Sequence, residues 1–206
     1  MTRVSGLAAS ITAAALLAVM SSVASAEMIS QKTIRYFQIG GRTAEDLDRE
    51  LERNGPYTKS TGSRHPGATE IKFGGELTYV ERNGRCSIGS IKVTLSTRII
   101  LPSWKNRRKA DRELGLIWDT LSRDIKRHEE RHAEIARQHA KKLESVLKRL
   151  RPQRNCDILQ DKVAEATAKS IEAHDSDQIR FDRVESANFE NRMLRLLQYR
   201  LSRQSR

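Results

Sequence analysis

The sequence predicts one α+β domain, with a small N-terminal antiparallel sheet carrying one helix and a C-terminal long helix packed with two further helices. Three observations lead there. Residues alternate between apolar and polar, with turn signals between the runs, as far as about residue 103. Beyond Leu101-Pro102 the apolar residues instead recur every three or four positions. No internal repeat and no low-complexity linker separates the two halves, so one core serves both.

The chain opens on an address rather than on the fold. Arg3 is followed by the apolar run LAASITAAALLAVM and then by SSVASA, which ends in Ala24-Ser25-Ala26. A short Ala-rich apolar run before a small-x-small site reads as a signal peptide over residues 1–26, cleaved near Ala26. It is too short to be a good membrane anchor. The mature chain, 27–206, is expected to be periplasmic or secreted, with no stable membrane insertion after cleavage. About 180 residues then remain, the size of a single domain.

The elements follow in order. TIRYFQI reads as a strand ended by Gly40-Gly41, and Thr43 caps a short helix, AEDLDRELERN, with Asp46 in the capping-box position. Asn54-Gly55-Pro56 stops that helix, and a polar stretch from Thr58 to Gly67 reads as a loop. ATEIKF, GELTYVER and SIGSIKVTLSTRIIL are period-2 runs, and Asn83-Gly84 supplies a hairpin turn between the last two. The longest helix is expected from about Lys109 to Leu150, before Pro152. A second is expected from Asp157 to about Ala173, a break at HDSDQ, and a third from about Phe181 to Leu201. Cys86 and Cys156 are the two cysteines of the chain; an even count in an exported protein favours one disulfide between them.

Composition narrows the partners. The formal net charge is +12, yet the few aromatics do not interleave with the basic runs, and Lys and Arg are spread along helices with Asp and Glu between them. That is a solvated helix surface rather than a nucleic-acid footprint, and no nucleic-acid partner is expected. In an exported protein such a surface meets anionic or acidic envelope components.

Residues 128–132 read His-Glu-Glu-Arg-His, an H-E-x-x-H within the longest helix. Positions i and i+4 stack on one helix face, so His128 and His132 can reach one Zn²⁺. Glu129 lies one residue round the helix, where its carboxylate can act as general base without displacing a ligand. Zinc lowers the pKa of a bound water and polarises a carbonyl, and the carboxylate moves the proton to the leaving amine. The two histidines continue the apolar stripe 114, 118, 121, 125, 128, 132, 135, 139, 143, which directs them inward. His139 lies seven residues beyond His132, roughly 10 Å along a helix, too far to share the ion. Ile135 and Gln138 stand where the metzincin arrangement needs Gly and His, so that class is excluded. The third ligand must come from another segment, with Glu165, His174, Asp175, Asp182 and Glu185 as candidates.

The segments YFQIGGRTAEDLDRELERNGP, RCSIGSIKVTL, LPSW and RHEERHAEIARQHAKKL, with a second Cys after them, resemble in order those of the exported bacterial DUF922 family. Zinc-dependent proteolysis is inferred for that family from the motif. The resemblance covers most of the mature chain and implies one zincin-like metalloprotease domain over 27–206. In the late helix the family often carries Tyr-Asp, then Thr and His-Gly; here the segment is FDRVESANFEN. Asp182 matches the Asp and becomes the third-ligand candidate, while no His stands where the family has one. The expectation is therefore an exported zinc peptidase acting on a peptide or protein of the cell envelope. The alternatives are a non-catalytic envelope-binding or scaffold protein with a structural or vestigial metal site, and a hydrolase of another amide.

Overall fold

A computed structural model describes residues 25–59 and 61–204; the expected signal segment, up to residue 24, lies outside the described residues. Strand β1 spans Ser25–Ile39, helix α1 Ala44–Asn54, and β2 (Tyr57–Thr58) and β3 (Ser63–Arg64) form a minimal hairpin inside the loop expected there. Strands β4 (Ala68–Arg82) and β5 (Arg85–Trp104) follow, then helices α2 (Arg112–Lys148) and α3 (Cys156–Gln204). The α+β organisation is the one the sequence implies.

Two details differ. The main sheet has the order β1-β5-β4, with β4 antiparallel to β5 but β1 parallel to it, so the sheet is mixed. The central strand is β5, paired on both sides, and its alternation buries Ile91, Val93, Leu95, Ile99 and Leu101 on the face that α2 covers. The two late helices are in fact one continuous helix, α3, running through HDSDQ. Its polar run is not a break, because His174, Asp177 and Gln178 all have partners inside the molecule.

Local signals account for the ends. Thr43 Oγ1 accepts from the Asp46 N–H and the Asp46 carboxylate accepts from the Thr43 N–H, completing the capping box. Asn83 and Gly84 both have positive φ, 53° and 69°, as a two-residue type I′ hairpin requires between β4 and β5. Asp111 caps α2 by accepting from the Leu114 N–H at 2.8 Å.

Helix α2 lies between the sheet and α3. Toward the sheet, Ile125 and Ala133 pack on Ile99 and Leu101, and Ala136, Ala140, Leu143 and Leu147 on Ile91, Val93 and Leu95. Its first turns close a second cluster, in which Leu114 and Trp118 meet Ile39, Leu47, Leu51 and Trp104. The start of α3 is fixed to the sheet by the Cys86–Cys156 disulfide, and Cys86 exchanges two backbone hydrogen bonds with Gln153 (2.9 and 2.8 Å). Farther along, Arg192 of α3 forms a two-pronged pair with the buried Asp124 of α2 at 3.0 and 3.1 Å. Among the described residues no helix is long and apolar enough to cross a membrane.

Candidate metal centre

Helix α2 presents two stripes one residue apart, and the motif straddles them. Ile125, Glu129, Ala133 and Ala136 face the sheet, while Asp124, His128, His132 and His139 face α3. One step along a helix is a turn of about 100°, so neighbouring residues of the motif point to different surfaces. Glu129 is thereby buried against β4 while the imidazoles of His128 and His132 reach α3.

From α3, Asp182 completes a cluster. Its Oδ1 stands 2.9 Å from His132 Nε2 and 3.3 Å from His128 Nε2, and the two Nε2 atoms are 3.0 Å apart. Tetrahedral ligands about 2 Å from a zinc ion stand roughly 3.3 Å from one another. Two imidazole nitrogens and one carboxylate oxygen at these separations fit such an ion, with one position left open. It is the one group of three or more potential ligands among the described residues. Of the other candidates, Glu165 pairs with Lys169, Asp175 with His174, and Glu185 with Arg127 and Arg192; none joins the cluster. His139 pairs with Asp177 at 2.9 Å, well outside it.

Residues around the cluster orient it. His132 Nδ1 faces Gln178 Oε1 at 2.5 Å, and the Gln178 amide donates to the His132 carbonyl at 3.1 Å. A carbonyl oxygen only accepts, so Nδ1 carries a proton and Nε2 is turned to the cluster. Glu185 Oε2 lies 3.8 Å from His128 Nδ1, behind the ring. The Phe181 ring packs beside both imidazoles, its centroid 4.9 and 5.0 Å from theirs.

Electrostatics follow from this packing. Burial pushes the Glu129 carboxyl above its ordinary value, against the Thr69 hydrogen bond and the nearby histidines. Burial would also raise Asp182, but the two imidazoles outweigh it and hold that carboxyl well below the usual range. For His132, burial acts downward, and the bonds to Asp182 and Gln178 overcome it and raise the imidazole.

Strand β4, an edge of the sheet, brings Thr69 to Glu129. The hydroxyl lies 2.8 Å from Glu129 Oε2 and 2.9 Å from the Glu129 carbonyl oxygen. Just before it, Gly67 passes so close that a Cβ there would stand 2.7 Å from Ile125 Cγ2 and 3.0 Å from Glu129 Oε1. A cleft of about 350 Å³ opens beside the cluster, lined by His65, Gly67, His128, Glu129, Phe189 and Arg192 among others. The motif and Asp182 were legible in the sequence. Thr69, Gly67, Gln178 and Phe181 were not, because each acts through a contact made only by folding.

An α+β fold with an H-E-x-x-H helix and an Asp from a second helix defines a protein with a three-residue cluster able to hold a metal ion. The chain belongs to the DUF922 family, described as bacterial proteins of unknown function, whose sequence profile matches residues 34–189. Neither a curated protein nor a solved structure matches it.

Proposed function

We propose that the protein is an exported zinc-dependent peptidase, with His128, His132 and Asp182 as ligands and Glu129 as general base. The observation that supports this most is the meeting of three donor atoms beside a buried carboxylate, at the edge of a sheet and the mouth of a cleft. Zinc bound there would supply an activated water and polarise the scissile carbonyl. Glu129 would take a proton from that water and pass it to the leaving amine. Thr69 fixes the carboxylate, and Gly67 leaves room for it. The outer edge of β4 offers backbone groups to an extended peptide, which would be held there as an added strand.

The experiment is a zinc count and a peptide-library cleavage assay on the exported chain, Glu129→Gln and a His128→Ala, His132→Ala double variant. One zinc per parent chain is expected, none in the double variant, and retained zinc with cleavage reduced about 10²–10⁴-fold in Glu129→Gln. Cleavage unchanged in Glu129→Gln would remove the peptidase reading. Zinc without any cleavage in the parent would favour a metal-bearing binding protein of the envelope.

A further inference from the structure

The polar run HDSDQ, residues 174–178 of α3, lies across from the stretch of α2 that carries His132 and His139. Within it, Gln178 makes three contacts at once. Its Oε1 faces His132 Nδ1 at 2.5 Å. Its amide nitrogen lies 3.1 Å from the His132 carbonyl oxygen and 2.8 Å from His174 Nε2. One turn back along α3, His174 Nδ1 stands 2.9 Å from Asp175 Oδ1.

The donor and acceptor roles in this series follow from its two ends. A carbonyl oxygen only accepts, so the Gln178 atom beside the His132 carbonyl is the amide nitrogen, and its oxygen is left to face Nδ1. An amide nitrogen only donates, so His174 Nε2 meets it with a lone pair. The His174 ring then keeps its proton at Nδ1, against a carboxylate that only accepts. Every donor finds an acceptor, and both N–H groups of Gln178 are used.

Reversing the Gln178 amide would break each contact. Its oxygen would face two acceptors, the His132 carbonyl and His174 Nε2, while its nitrogen would face the proton on His132 Nδ1. Those two acceptors therefore hold the amide in place, and His174 is the one supplied by a side chain. Packing fixes its ring in turn. His174 is 6% exposed, edge-on to Phe73 of β4 at 5.0 Å and to His139 at 5.6 Å.

We propose that His174 is a positioning residue for the metal centre. Through Gln178 it fixes the His132 tautomer that turns the Nε2 lone pair toward the ion, and Asp175 holds the His174 proton on the far side. This rests on the reading of His128, His132 and Asp182 as zinc ligands, and it gives HDSDQ a role that a ligand search along the sequence misses.

The test is competition for zinc against a chromophoric chelator, using the exported chain, His174→Phe and His174→Gln. Phenylalanine keeps a buried ring beside Phe73 but offers no acceptor; glutamine returns an acceptor near the place of Nε2. His174→Phe should weaken zinc binding about tenfold. His174→Gln should recover most of that loss, with the metal-free forms of all three melting alike. In the parent at about pH 8, above the ordinary imidazole value, ¹⁵N shifts should place the His174 proton at Nδ1. Equal zinc affinity in His174→Phe and the parent would overturn the proposal while leaving the zinc ligands standing. So would an equal loss in both variants, which would mark packing alone, or a His174 proton found at Nε2. A parent that binds no zinc would instead remove the ligand reading, and the proposal with it.

Discussion

Thr69 has one hydroxyl proton and two acceptors on the same residue, the carboxylate and the carbonyl oxygen of Glu129. It is the link by which the sheet sets the direction of a side chain on the helix. Thr69→Val keeps the shape and removes the donor. We expect zinc content to stay at the parent level, turnover to fall about tenfold, and stability to drop by about 1–2 kcal/mol, the cost of a lost partner for a buried polar group. Gln178→Leu should act on the metal instead, since it releases His132 Nδ1 and leaves that N–H buried. A loss of about 10–100-fold in zinc affinity, measured by competition with a chromophoric chelator, is the expected outcome. Gly67→Ala places a methyl 2.7 Å from Ile125 Cγ2 and 3.0 Å from Glu129 Oε1. Overpacking of that kind costs about 1–3 kcal/mol, to be read from denaturant midpoints.

At the scale of elements, α2 and α3 are joined by polar pairs as well as by apolar packing. Asp124 is buried and holds both Arg127 and Arg192. Burial alone would raise its carboxyl, but the two guanidinium groups hold it below the ordinary carboxylate value. A group depressed in the folded state adds stability above its unfolded pKa, near ~3.9, and loses it as pH falls through the lower folded value. Asp124→Asn should therefore flatten the fall in stability below about pH 4, seen in urea melts across that range. Arg192→Met breaks the pair from the other side and leaves Arg127 in place. It should cost about 2–3 kcal/mol, somewhat less than a fully orphaned buried charge. These pairs also explain what the sequence shows and hides. The helical stripe on α2 is legible, but it blends two stripes: 118, 121 and 125 belong to the sheet side, 128, 132, 135 and 139 to the α3 side. Periodicity alone cannot say that a helix is clasped on two faces. HDSDQ looks like a break for a related reason, since a polar run that meets a polar partner inside reads the same as one that meets water. The parallel placement of β1 is invisible too, because alternation carries no strand direction.

For the molecule as a whole, the cross-link at Cys86 and Cys156 spans a sequence separation of 70. It closes a loop that contains β5 and the entire motif helix. Replacing both cysteines by serine should lower stability by about 2–5 kcal/mol, measured by guanidinium unfolding beside the parent with and without reductant. The parent under reducing conditions should approach the variant. Strand β1 carries a different consequence, one of timing. The ladder to β5 runs from Ser25, with Ala26 opposite Ile91 and Glu27 opposite Lys92. For a chain cut after Ala26, the bond to be cut is thus already inside the sheet once the sheet has formed. A processing enzyme takes its substrate as free, extended chain, so a finished fold would shelter the junction from it. Processing and folding then become rivals for the same few residues. In such a chain the cut would come first, while β5 is still waiting for its parallel neighbour.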